Sequence, residues 1–156
     1  GISAYDPRVI EVTGISMMVS AQGADHTTGN LPAYDCRGKT TEELVEASLG
    51  IQTAVAAADS LGLCMFGRSV TNVSADLIVG AINDAHGTQL DATFMQTLGR
   101  EVLRMEWEFN RKAGFTEQDD ELPAFFYTDP VPPTGNTARH HSAAVNRHLH
   151  ALLGKA

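Results

Sequence analysis

Cysteine is scarce in this chain. Cys36 and Cys64 are its only two in 156 residues, too few for a disulfide-stapled scaffold. The opening residues do not resemble a secretory leader, so the expectation is a cytoplasmic protein in a reducing compartment. Long apolar runs are missing too. Polar residues interrupt every stretch well short of the ~20 needed to cross a bilayer, so no membrane is expected. Positive charge is also limited, with 11 Lys and Arg against 19 Asp and Glu, a net charge of −8. That balance repels nucleic acid and anionic membrane surfaces as main partners. Charged residues make up only 19%, against roughly 25% in an ordinary soluble domain, so part of the surface is expected to be covered. Together with a first residue that is Gly1 rather than Met, this leads us to expect a piece of something larger.

What is present is apolar residue content, 43% of the chain. That is ample for a core and excludes a disordered acidic tail. The length suits one domain, taken here as residues 1–156. No segment alternates like a strand, and the periodic segments read as helices. Asp6-Pro7 places an N-cap before a first-turn proline, predicting a helix that runs toward Gly23. Thr40 followed by Glu43 is a capping box. Behind it Leu44, Ala47, Ile51, Val55 and Ala58 mark one face of a helix ending near Leu61. Ser74 opens a third helix with Leu77, Ile78, Ala81, Ile82 and Ala85 on its stripe, closed by Gly87. Asp91 opens a fourth, with Phe94, Leu98, Val102, Met105 and Phe109 on one stripe and Gly114 at its end. Residues 115–136 lose all periodicity, and Pro123, Pro130, Pro132 and Pro133 make them an extended tail over the helices. A last helix is expected from about Ala138 to Leu153, stopped by Gly154. The fold class is all-α.

Six residues carry the most chemistry: Asp59-Ser-Leu-Gly-Leu-Cys64. Gly62 can adopt the left-handed conformation that ends helices. A break there leaves Asp59 on the last turn and turns Cys64 off the axis. A carboxylate at such an end can accept two parallel hydrogen bonds from a guanidine-like edge, including the amino-pyrimidine of a pterin. A thiolate can ligate a soft metal, with Met65 and Phe66 as apolar shielding. The same spacing also fits an ordinary buried cysteine near a helix end. Asp25-His26 offers a proton-transfer histidine, a loop histidine, or two ligands of an incomplete hydrolytic metal site. His140, His141, His148 and His150 cluster near the C-terminus. His141 and His148 share a helix face, an arrangement open to divalent metal capture. Trp107 and Tyr5 read as packing residues, Arg100 and residues 108–112 as a solvated face, and Cys36 as a free thiol.

Asp59-x-x-Gly62-Leu63-Cys64 resembles the pterin- and cluster-binding turn of the tungsten-containing aldehyde ferredoxin oxidoreductase family. Other segments follow in the family's order: Ala4-Tyr5-Asp6-Pro7-Arg8, Gly23-Ala24-Asp25-His26, Gly99-Arg100, Phe109-Asn110, Gly114-Phe115-Thr116 and Asp119-Asp120-x-Leu122-Pro123. The resemblance spans roughly residues 3–125 and departs from the family ending after about Pro133. It implies a multihelical C-terminal domain of a longer enzyme that oxidises aldehydes to carboxylic acids at a tungsten (or molybdenum) bis-pterin. Electrons would pass through a 4Fe–4S cluster to ferredoxin. By the same resemblance Cys64 would be one of four thiolates on the cluster. Asp59, with Gly62 and Leu63, would contact the pterin, and His26 would sit near the metal. The implied partners are upstream domains, ferredoxin, a small aldehyde and further copies of the full-length enzyme; alone, the domain would be inactive. Two other functions fit the same residues: a cofactor-free helical interaction module, or the metal-binding subunit of an aromatic thioester reductase.

Overall fold

The computed structural model of the protein describes residues 5–67 and 74–153. Ala4 and Gly154, one in the opening motif and the other an expected helix stop, lie outside the described residues. Six α-helices follow in order among them: α1 (Glu11–Val19), α2 (Thr41–Ser60), α3 (Ala75–His86), α4 (Phe94–Lys112), α5 (Phe125–Thr128) and α6 (Ser142–Leu153). No strand is present among the described residues, and one antiparallel bridge joins Val131 to Asn136. The fold is all-α, as the periodicity predicts.

The first helix differs from expectation. Asp6 closes a separate turn, accepting from the backbone N–H of Val9 and Ile10 at 2.9 and 3.0 Å, and α1 begins only at Glu11. The physical cause is Arg8. Its guanidinium grips the Asp6 carboxylate, with Nη2–Oδ2 at 2.6 Å, and donates from Nη1 to the Asp129 carbonyl at 2.7 Å. Asp6 is therefore spent on tying the N-terminal turn to the segment after α5. The short α1 is buried nearly all round, with Val12, Ile15 and Met18 inside, as a helix apolar on every side must be.

Helix α2 matches its prediction closely. Thr40 and Glu43 form both halves of the capping box. Of the expected stripe Leu44, Val55 and Ala58 are buried, Ala47 and Ile51 are only half-buried, and Val45 and Leu49 enter the core beside them, packed against α1, α4 and α6. A polar thread runs through this apolar contact. The Gln52 side-chain amide donates to Ser48 Oγ at 2.9 Å, which meets Ser16 Oγ of α1 at 2.7 Å. Ser16 also donates to the carbonyls of Val12 and Gly29 at 3.0 and 3.2 Å.

The stripes read for α3 and α4 are corrected. In α3 only Val79 is buried and Leu77 is exposed. In α4 the buried residues are Gly99 and Leu103, while Met105 and Phe109 face outward. The reason is Gly99, where an added Cβ would lie 1.9 Å from the Thr53 carbonyl oxygen. Here α2 and α4 approach backbone to backbone, so the smallest residue, invisible to an apolar count, defines the contact face.

Residues 115–136 wrap over the helices as expected, although they contain α5, and the last helix begins at Ser142 rather than at about Ala138. Leu122 and Phe126 enter the core. Glu121 is the segment's anchor. One carboxylate oxygen accepts from the backbone N–H and hydroxyl of Ser142 at 3.0 and 2.8 Å, capping α6 from a distance. The other pairs with the Tyr127 hydroxyl and His141. Burial raises the Glu121 pKa, but these hydrogen bonds outweigh it and leave the pKa below the usual carboxylate range. Nearby, Arg139 is paired to Glu11 of α1. His140 places Nδ1 3.0 Å from the Thr41 hydroxyl, while its buried Nε2 has no hydrogen-bond partner. The 3.9 Å from Nε2 to Glu11 Oε2 is too long for a hydrogen bond.

Two outcomes follow from this packing. Gly99→Ala should cost about 3 kcal/mol in denaturant unfolding, because the new Cβ overlaps the Thr53 carbonyl. Gly50→Ala, with nothing within 4 Å of its Cβ, should instead stabilise by up to about 1 kcal/mol through helix propensity. His140 supplies the second. Burial lowers its pKa below the ordinary value despite the Glu11 charge, with Arg139 and His141 adding to the lowering. The unfolded chain then binds the extra proton first, so this contribution to stability is complete above the ordinary histidine pKa. It is lost as the pH falls through the lowered one. Melting temperature should drop across that window in the parent chain, and His140→Gln should flatten the drop.

Candidate functional site

The end of α2 is built by backbone hydrogen bonds from Leu61, Gly62 and Leu63. Leu63 N–H donates to the Ala58 carbonyl at 2.9 Å, Gly62 N–H to Asp59 at 3.0 Å, and Leu61 N–H to Ala57 at 3.2 Å. With Gly62 at φ +67°, this is the six-to-one and five-to-two pattern of a Schellman cap. The glycine is required by conformation, since a side chain at that φ is strained. The carbonyl of Cys64 then accepts from Gly67 N–H at 2.8 Å, opening a single 3₁₀ turn over Met65–Gly67.

This cap sets out the predicted residues as follows. Asp59 is exposed on the last turn, and its carboxylate accepts no hydrogen bond from the described residues. Cys64 is exposed as a free thiol just past the break, so the buried-cysteine reading fails for it. Beside it Phe66 is 89% exposed, an apolar side chain without cover. His26 stands apart in the α1–α2 loop. Its ring lies 6.2 Å from that of Tyr5, and its Nδ1 is 3.8 Å from Asp25 Oδ1. The Asp25 carboxylate instead accepts from the backbone and hydroxyl of Thr27 at 2.8 and 2.9 Å. No direct contact joins His26 to Asp59 or Cys64 among the described residues.

A cleft of about 90 Å³ does connect Asp59 to the rest of the fold, lined also by Thr28 of the same loop, Gln52 of α2 and Glu106 of α4. Burial, with the nearby Asp59 charge as a second cause, raises the Glu106 pKa above the usual carboxylate range. Glu106 was not singled out from sequence, because the charged residues around it read as a solvated face. Gln52 carried a signal, being a polar residue one turn from Ser48 on an otherwise apolar helix face.

The chain matches the family model described as aldehyde ferredoxin oxidoreductase, domains 2 and 3, over residues 1–154. It belongs to the aldehyde ferredoxin oxidoreductase family. No curated protein matches it significantly. The family match runs beyond residue 125, where the motif resemblance ends, and beyond Pro133, where a departure from the family ending is expected, so α6 and its histidines lie inside it. The chain is thus an oxidoreductase part of this family, and no helix among the described residues is long and apolar enough to cross a membrane.

The donor set fits a shared role in such a family. Among the described residues no three of His, Cys, Asp and Glu come together to hold a metal ion. His141 and His148 belong to no such group there, nor does Asp25-His26. A single exposed thiol beside uncovered apolar side chains suits one corner of a cluster whose other ligands lie elsewhere. An unpartnered carboxylate suits a donor-bearing ligand.

Asp59 is electrostatically misplaced for stability. It sits at the negative end of the α2 dipole, no Lys or Arg occupies the last turn, and Glu106 is close enough for their charges to interact. Asp59→Asn should therefore raise the melting temperature of the 156-residue chain by about 1–3 °C, with the gain shrinking as salt is added.

Proposed function

We propose that this chain is the cofactor-facing, helical part of a longer enzyme that oxidises an aldehyde, with water, to a carboxylic acid and reduces ferredoxin. The observation that carries this reading is the Schellman end of α2, which presents an unpartnered carboxylate, Asp59, and a free thiol, Cys64, from one turn. In this reading a tungsten (or molybdenum) bis-pterin and a 4Fe–4S cluster, both shared with other parts of the enzyme, supply the redox chemistry. Cys64 would provide one thiolate ligand to the cluster. Asp59 would accept hydrogen bonds from the amino-pyrimidine edge of a pterin. Gly62 and Leu63 shape the turn between them, so one helix end would touch both groups.

His26 would hold and move a proton near the reacting oxygen. Its half-exposed ring, 52% accessible, and its place beside Tyr5 on a loop leave it free to meet a substrate. The neighbouring Asp25 is held below the usual carboxylate range, mainly by the Thr27 backbone hydrogen bond, so it stays ionised beside the ring. The uncovered side chains of Phe66, Met65 and Leu77 fit a face that packs against upstream parts of the same enzyme. We further read residues 1–156 as a single domain of a cytoplasmic, homo-oligomeric enzyme.

The test is Cys64→Ala in the full-length protein. Iron content and the cluster's visible absorbance should fall, with folding retained because the thiol is exposed. Unchanged iron and an unchanged spectrum would remove Cys64 from the ligand set.

A further inference from the structure

We propose that the cleft at the end of α2 receives a planar heterocycle edge rich in N–H donors, and that Glu106 and Gln52 are binding residues there beside Asp59. The proposal rests on the reading that Asp59 meets a pterin, and it extends that site inward to α4.

Gln52 is the first observation. It is 1% exposed, and its amide nitrogen is committed to Ser48 Oγ at 2.9 Å. Ser48 is in turn joined to Ser16, so the amide orientation is set by a network behind the cleft. Its oxygen is left buried without any partner, on a side chain that lines the cleft. Buried acceptors are nearly always satisfied, so an orphan at the wall of a cleft points to a missing donor.

Glu106 is the second. On α4, Arg104 pairs with Glu101 and Glu108 and Lys112 with Glu108, and neither these nor Arg100 and Arg111 of the same helix form an ion pair with Glu106. Neither Glu106 nor Asp59 has a cationic partner or hydrogen-bond donor among the described residues. Thr28 already donates its hydroxyl proton to the Asp25 carbonyl at 3.0 Å, which leaves its lone pairs available. The cleft therefore offers mostly acceptors: two carboxyl groups, the Gln52 amide oxygen and the Thr28 hydroxyl oxygen, with Ser20, Ser60 and the amide of Gln22 also in its lining. Its volume, about 90 Å³, takes the edge of one ring rather than a whole cofactor. An amino-pyrimidine presents neighbouring N–H groups in one plane, which answers both the chemistry and the size.

The experiment uses the full-length oxidoreductase, with bound pterin per polypeptide read after desalting by the fluorescence of the released, oxidised pterin. Asp59→Asn, Glu106→Gln and Glu106→Asp are compared with the parent. Glu106→Gln should lower pterin retention about tenfold, the loss of one charge-assisted hydrogen bond, and Glu106→Asp, which keeps the carboxyl, should retain at least threefold more. Equal loss in both Glu106 variants would mark a packing defect and overturn the assignment. Parental retention in Glu106→Gln with depletion in Asp59→Asn would overturn the role of Glu106 and leave that of Asp59. The reverse pattern would remove Asp59 and leave the cleft, and parental retention in both would overturn both.

Discussion

The close approach of α2 and α4 at Thr53 and Gly99 governs the geometry of everything around it. A carbonyl oxygen occupies the place where a Cβ of residue 99 would stand, so the two backbones meet without side chains between them. The helices run in the same direction from that point. About two turns further along each, Asp59 and Glu106 come to the same cleft. A larger residue at position 99 would push α4 outward, and those carboxyl groups would part with it. Dense packing makes such contacts discrete rather than adjustable.

The second organising feature is a division of charge. On the side where α1, the wrapping segment and α6 meet, nearly every charge is answered: Arg8 by Asp6, Arg139 by Glu11, and Glu121 by Tyr127, His141 and Ser142. At the end of α2 the opposite holds. A carboxylate faces the negative pole of its own helix, a second carboxyl lies nearby, and an amide oxygen is orphaned. Folding alone gives no reason for such an arrangement, and a donor-bearing ligand does. The uncovered Phe66 and Leu77 lie close in sequence to that end.

Much of this was readable before the fold was known. The capping box at Thr40 and Glu43, the left-handed stop at Gly62, Gly87 as the closing residue of α3, and the packing role of Trp107, whose indole donates to the Val19 carbonyl, all rest on local chemistry within a few residues. The start of α1 was misread because the competitor for Asp6, Arg8, is itself tied to Asp129, a contact 121 residues away. The stripe of α4 was misread because apolar periodicity weighs Met105 and Phe109 and gives Gly99 no weight. Glu106 was missed for a related reason, since a glutamate among charges on a helix reads as solvated until another element covers it.

Local order therefore sufficed for both ends of α2, the stop of α3, the all-α class and the turn that separates Asp59 from Cys64, because caps and left-handed glycines act over four to six residues. Tertiary packing alone decided which face of α4 is buried, that His26 stands apart from that turn, and that Glu106 and Gln52 gather beside Asp59. Burial and field depend on what lies across the contact. No run of neighbours along one helix carries that information.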